Sequence, residues 1–235
     1  MVEGQLTIIG TSHIARESVV QVKEVIENLQ PSFVAVELDE ARARSLLNKK
    51  SAGSFLWRDI KKIGLKGFLF SLIGAYVEKK LGERVGSAPG SEMKAAIFAA
   101  RKIGAQVVLI DQDIQTTLRR FSQRLSWKEK WRLLVDVVKG LFGFGQTFSF
   151  DLSRVPAKDV MKRLIAEVKS RYPNMYGVLV VERNVVMAKN LVRVLRHAPN
   201  ARIVAVVGAG HEEEIKKLVH KFSEPEKSLK NYRIS

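Results

Sequence analysis

The chain contains no cysteine. Disulfide frameworks, zinc ribbons and thiol nucleophiles are therefore excluded, and redox chemistry says nothing about the compartment. It has no run of about 20 apolar residues, the length that spans a bilayer. Its opening, MVEGQLTIIG, lacks the basic start and long apolar stretch of a secretion signal. A cytoplasmic and a membrane-associated location both stay open. Acid is scarce: 24 Asp and Glu against 40 Lys and Arg leave a formal charge of +16. Such an excess suits an anionic partner, whether nucleic acid, a lipid surface or an acidic ligand, and it also suits a merely solubilising surface. No nucleic-acid motif accompanies the charge. Histidine is rare too, with four in 235 residues.

The apolar residues, 46% of the chain, suffice for a core of one large domain or two small ones. QLTIIG (5–10) reads as a strand, and residues 14–29 place Val19, Val22, Ile26 and Leu29 at helical spacing before Pro31 stops them. FVAVELDE (33–40) is a second strand, so the opening is a strand–helix–strand unit with parallel strands. A Gly/Pro loop (85–93) leads into a helix opened by Glu92, which Gly104 stops. AQVVLID (105–111) is a third strand, and ARIVAVVGAGH (201–211) is the last strand and turn. Pro173 starts a helix whose early valines also suit a strand. The expected architecture is a central, mostly parallel sheet flanked by helices, an α/β domain over 1–222. Helical insertions fall at about 41–84 and 114–172, and a polar tail at 223–235. The insertions, basic and rich in aromatics, suit a helical cap over a site, a dimer surface or a face resting on anionic lipid.

Two of the four histidines follow the same pattern. IIGTSH (8–13) and VVGAGH (206–211) each put His behind an apolar strand, a Gly and two small residues. In a parallel sheet, ligands bind beyond the carboxyl ends of the strands. His13, Glu37 with Asp39, Asp111 with Asp113, and His211 all fall at such ends. Two His with carboxylates can form a first shell for Zn, Mn, Co or Fe. Each His would start a helix, where the macrodipole disfavours a proton on the ring and keeps it able to bind a metal. The glycines are expected to allow close backbone approach and to give the turns unusual dihedrals. Alternatively, the acids are helix caps and each His a packing residue. HEEEI (211–215) is not the HExxH zinc signature, since His220 lies nine positions on, and GFGQT (143–147) lacks the Lys of a phosphate loop.

The segments GTSH, VAVELDEAR, PGSEMKAAIFAA, VVLIDQDIQTTLRR, ERNVVMA and VVGAGH, in this order, resemble the TraB/PrgY family, related to the TIKI and GumN proteins. The resemblance runs over about 5–221. It implies a TIKI/TraB-like α/β fold and a metal-dependent hydrolase, most readily a peptidase acting on peptides or signalling proteins, with a divalent ion (Mn, Co or Zn). By motif matching it implies His13, Glu92 and His211 as metal ligands and Glu37 as general base. It implies Arg183 or Asn184 as stabiliser of an oxyanion; Arg119 and Arg120 suit either a substrate carboxylate or a charged surface. Two positions depart from the pattern: Val181 stands where an acid is expected and Gln112 where a base is common. The alternative is a non-catalytic regulatory protein at a membrane surface.

Overall fold

Four short runs of small and β-branched residues form one parallel sheet in the computed structural model, which describes residues 5–11, 16–48, 90–141 and 165–224. The strands are β1 (Leu6–Thr11), β2 (Phe33–Val36), β3 (Gln106–Leu109) and β4 (Ile203–Gly208), in the order β1-β4-β2-β3. Every residue of β4, IVAVVG, is buried, as expected of a central strand covered on both faces. Thr11 pairs with Gly208 across β1 and β4, so the first and last strands lie side by side and in register to their ends. The Thr11 hydroxyl donates to the Val207 carbonyl at 3.2 Å, which leaves it a structural role.

The chain divides into two compact units, Met1–Lys49 with Val85–Asp113 and Glu182–Ser235, and Lys50–Arg84 with Ile114–Val181. The first holds the sheet. Its helices are α1 (Arg16–Leu29), α2 (Glu40–Leu47), α3 (Ser91–Lys102), α7 (Glu182–His197) and α8 (Ala209–Ser223), numbered with those of the second unit below. Alternate strand residues sort them. Ile9, Val34, Val36, Val204 and Val206 pack with Val22 and Ile26 of α1 and with Met93, Ala96 and Ile97 of α3. Ile8, Ala35, Ala205 and Val207 pack with Met187, Ala188 and Leu191 of α7 and with Ile215 and Leu218 of α8. The connections step from β1 to β2 to β3 in one direction and then back to β4. A constant right-handed crossover therefore puts α1 and α3 on one face and α7 on the other, where α8, after the last strand, packs beside it.

The second unit holds α4 (Ile114–Arg124), α5 (Trp127–Leu141), helical residues 165–171 and α6 (Pro173–Tyr176). Its core is Phe121, Leu125, Leu133, Tyr172, Met175 and Val178. Ser126 and Glu129 form a capping box: the Ser126 Oγ accepts from Glu129 N at 3.2 Å and the Glu129 carboxylate accepts from Ser126 N at 3.0 Å. The same carboxylate takes the backbone N–H of Asn174 at 2.8 Å and its side-chain amide at 2.9 Å, which anchors α6. Pro173 occupies the first turn of α6, as its sequence position suggests. The ambiguous valines that follow are helical: Gly177–Val181 winds as a π-helix before α7, with Val178 fully buried in the core. The stretches 49–89 and 142–164 and the tail from 225 lie outside the described residues, and with them most of the segment read as 41–84 and all but the first two residues of the glycine-rich stretch 140–150. No helix among the described residues is long and apolar enough to cross a membrane.

The glycine of the first motif has a steric reason. A Cβ on Gly10 would stand 2.1 Å from Glu212 Oε2 and 3.0 Å from Glu212 Cβ, so the first turn of α8 rests directly on β1. The dihedral expectation does not hold: the left-handed glycines among the described residues are Gly90 and Gly104, and Gly208 has an ordinary φ of −63°. Because the Glu212 Cβ cannot rotate away, Gly10→Ala must shift α8. It should destabilise the protein by about 1–3 kcal/mol in denaturant unfolding; an unchanged midpoint would contradict this packing.

Candidate active site

Adjacent strands β1 and β4 send the chain to opposite faces, β1 to α1 and β4 to α8, the kind of divergence beside which open parallel sheets bind ligands at their carboxyl ends. The polar site residues gather at the carboxyl ends of β2, β3 and β4 and at the starts of α7 and α8. Glu37 extends β2, its N–H donating to the Val206 carbonyl at 3.1 Å, and Asp111 extends β3 by donating to the Leu38 carbonyl at 3.3 Å. Arg183 and Asn184 open α7, and His211 lies in the first turn of α8.

These side chains form one connected network. Arg183 grips Asp111 with Nε at 3.0 Å and Nη2 at 2.6 Å, and Nη2 also donates to Glu37 Oε1. Arg42 joins Asp111, at 2.5 Å, to Asp39, at 2.6 Å. Glu37 Oε2 accepts the Gly208 N–H at 2.7 Å. His211 completes the set, with Nε2 3.3 Å from Glu37 Oε1 and Nδ1 2.6 Å from Asn184 Oδ1. An amide oxygen only accepts, so Nδ1 of His211 carries a proton and donates it. With Nδ1 protonated, a neutral ring would turn its Nε2 lone pair on a carboxylate oxygen, which is repulsive. The pocket therefore favours positive charge at Nε2, from a second proton or from a bound cation. The wider balance agrees, since Glu37, Asp39 and Asp111 outnumber Arg42 and Arg183.

Burial alone would raise the pKa of Glu37, but the charges of His211 and Arg183 and the Gly208 amide outweigh it and hold the carboxyl below its ordinary value. Burial likewise opposes ionisation of Asp111, and the hydrogen bonds and charges of Arg183 and Arg42 reverse it, so this pKa is also lowered. Arg183 stays protonated in spite of its burial because Asp111 and Glu37 hold it so.

The structure thus unites Glu37, Arg183, Asn184 and His211, as the sequence leads one to expect, in altered relations. Arg183 is committed to two carboxylates and acts as a clamp, and Asn184 spends its oxygen on the imidazole. Asp39 is a helix cap as well as a network member, accepting Arg42 N at 2.9 Å. Arg42 escaped notice because it stands in the charged run DEARAR, and Gly208 contributes through a backbone N–H that composition does not reveal. Asp113 is exposed, and so is His220, whose Nε2 lies 3.5 Å from Glu224 Oε1 at the far end of α8. Glu92 is buried in the first turn of α3, its Oε2 3.5 Å from Ser91 Oγ. His13 lies outside the described residues, and Arg119 and Arg120 belong to α4 of the second unit.

A family model described as TraB/PrgY/gumN family matches residues 3–230. The chain belongs to the TraB/PrgY/gumN family. An uncharacterized protein of Methanocaldococcus jannaschii is 37% identical over 223 residues, covering 93% of this chain and 54% of that protein. The TraB domain-containing proteins of mouse and human are each 28% identical over 234 residues, covering 89% of this chain and 61% of theirs. The chain thus spans between half and two thirds of the length of these curated relatives.

Does the TraB-family site suit a divalent ion? Among the described residues no group of three or more His, Asp and Glu is arranged to hold one, so Glu92 forms no such group with His211 and Glu37. Two donors do suit it. His211 Nε2 and Glu37 Oε1 are 3.3 Å apart, roughly the spacing of two ligands that hold a tetrahedral ion at about 2.0–2.1 Å. Asn184 fixes the ring as second-sphere partners of metal-bound His do.

Asp111 and Glu37 release their protons at lower pH in the folded than in the unfolded chain, where the ordinary values are 3.8 and 4.5. Their stabilisation is therefore complete above about pH 5 and fades as pH falls through the lowered folded values. Asp111→Asn should lower stability at pH 7 by about 3–5 kcal/mol and flatten the acid limb of the stability–pH curve. An acid limb as steep as that of the unaltered protein would contradict the assignment.

Proposed function

We propose that this chain is a metal-dependent hydrolase acting on peptide or protein substrates, with the reacting centre at His211 and Glu37. The observation that carries this reading is the imidazole fixed between two partners: Nδ1 on Asn184 and Nε2 facing Glu37, at the crevice where an open parallel sheet binds ligands. His211 Nε2 and Glu37 Oε1 would hold the ion, with His13 as the third ligand from the twin motif. A divalent ion there supplies Lewis acidity and lowers the pKa of a bound water.

The chain's own groups divide the remaining work. Arg183 and the Gly208 amide hold Glu37 in place and ionised, so Glu37 is a weaker base than an ordinary carboxylate and serves to anchor positive charge. Asn184 holds the tautomer and angle of the ring. With Nδ1 committed to Asn184, the Nε2 lone pair of His211 is the group left to face the ion beside Glu37 Oε1. Arg42 holds Asp111 and Asp111 holds Arg183, so the clamp on Glu37 keeps its place when the charge at His211 changes.

Calorimetric titration of the chelator-stripped protein with Zn²⁺, Mn²⁺ and Co²⁺ tests the reading. One ion should bind per chain. Asn184→Leu should weaken that binding by about 10- to 100-fold, and His211→Ala should weaken it at least as much and abolish cleavage of a mixed peptide library. Equal metal binding by the unaltered protein and His211→Ala would refute the proposal.

A further inference from the structure

The second unit carries a surface that the site does not use. Trp127 is 81% exposed, Trp131 64% and Leu134 43%. At positions i, i+4 and i+7 of α5 they share one stripe of the helix. Their exposure is unusual, since large apolar side chains that recur on one face signal an interaction surface more often than solvent does.

The charges beside the stripe are sorted by sign. On an ideal helix Lys130 flanks it on one side and Lys128 and Lys139 on the other; Lys128 and Lys139 are exposed and Lys130 partly so. The acids of α5 are withdrawn. Glu129 is buried in the capping box and bound to Asn174, and Asp136 is held by the paired nitrogens of Arg171 and by the Tyr172 hydroxyl. What α5 shows outward is therefore Trp, Trp and Leu between lysines, on a chain with a formal charge of +16. Trp rings settle at the boundary between lipid headgroups and acyl chains, and lysines beside them meet anionic headgroups.

We propose that α5 docks this chain on an anionic lipid surface, with Trp127, Trp131 and Leu134 inserted at the headgroup boundary and Lys128, Lys130 and Lys139 paired with lipid phosphates or carboxylates. The inference is independent of the hydrolase reading, because no residue of the centre takes part.

Co-sedimentation with phosphatidylcholine vesicles, with and without phosphatidylserine, tests it. The 235-residue chain should pellet with the anionic vesicles at low salt, remain in solution with pure phosphatidylcholine, and dissociate at high salt. Lys128→Gln with Lys130→Gln should cut the partition coefficient roughly tenfold or more. Trp127→Ala with Trp131→Ala should cut it at least as far, and Trp127→Phe with Trp131→Phe should keep most of it. The altered positions are solvent-facing, and unchanged circular dichroism verifies the fold. Absence of binding to anionic vesicles would overturn the proposal, as would binding that the Trp→Ala pair leaves intact. A gel shift of generic DNA or RNA that needs the same lysines, without vesicle binding, would assign the surface to nucleic acid instead.

Discussion

Arg183 is a guanidinium held away from water between carboxylates that belong to two different strand ends. Glu37 follows β2 and Asp111 follows β3, and neither acid could stay ionised at this depth without an opposing charge. Removing the cation would leave two like charges buried side by side, and removing either acid would leave the cation short of a partner. The three groups therefore depend on one another. The sheet order that brings β2 and β3 together, and the crossover that sets α7 over their ends, are what allow them to meet.

The centre follows from this arrangement. With one oxygen of Glu37 on Arg183 and the other on the Gly208 N–H, the carboxylate has no freedom to turn. The face it presents to His211 is thereby set, and Asn184, the residue next to Arg183, sets the ring from the other side. One helix start thus supplies both the clamp on the acid and the support of the imidazole. The parallel register of β1 with β4 carries the same order to the other edge, where Glu212 settles on the bare backbone of Gly10.

Much of this was legible in the order of residues. The strand–helix–strand opening, the all-apolar β4 and the repeated strand–Gly–x–x–His pattern pointed to parallel strands and to acids and His at their carboxyl ends. The paired motifs required β1 and β4 to be neighbours, and the pairing of Thr11 with Gly208 shows that they are. What stayed hidden depends on distance in the chain. Nothing local to Arg183 tells that it will meet Asp111, 72 positions away, and Glu37, 146 positions away. An arginine beside an asparagine near a pocket reads as a substrate contact until its partners are known. Arg42 was lost in a charged run for the same reason. Gly10 is a site of close approach, as its motif suggests; the mistaken part was the backbone twist, since it is the Glu212 side chain that excludes a Cβ at Gly10. His13, the twin of His211, lies outside the described residues.

The central claim is that Glu37 is a fixed anion, held ionised by Arg183, His211 and a backbone N–H despite its burial. Carbon-detected NMR of the Glu37 carboxyl through an acid titration tests this most directly. The account predicts a midpoint below the ordinary 4.5, moving upward when Arg183 is replaced by Met. A midpoint at or above 4.5 in the unaltered protein would show that burial prevails over the clamp, and would contradict the account.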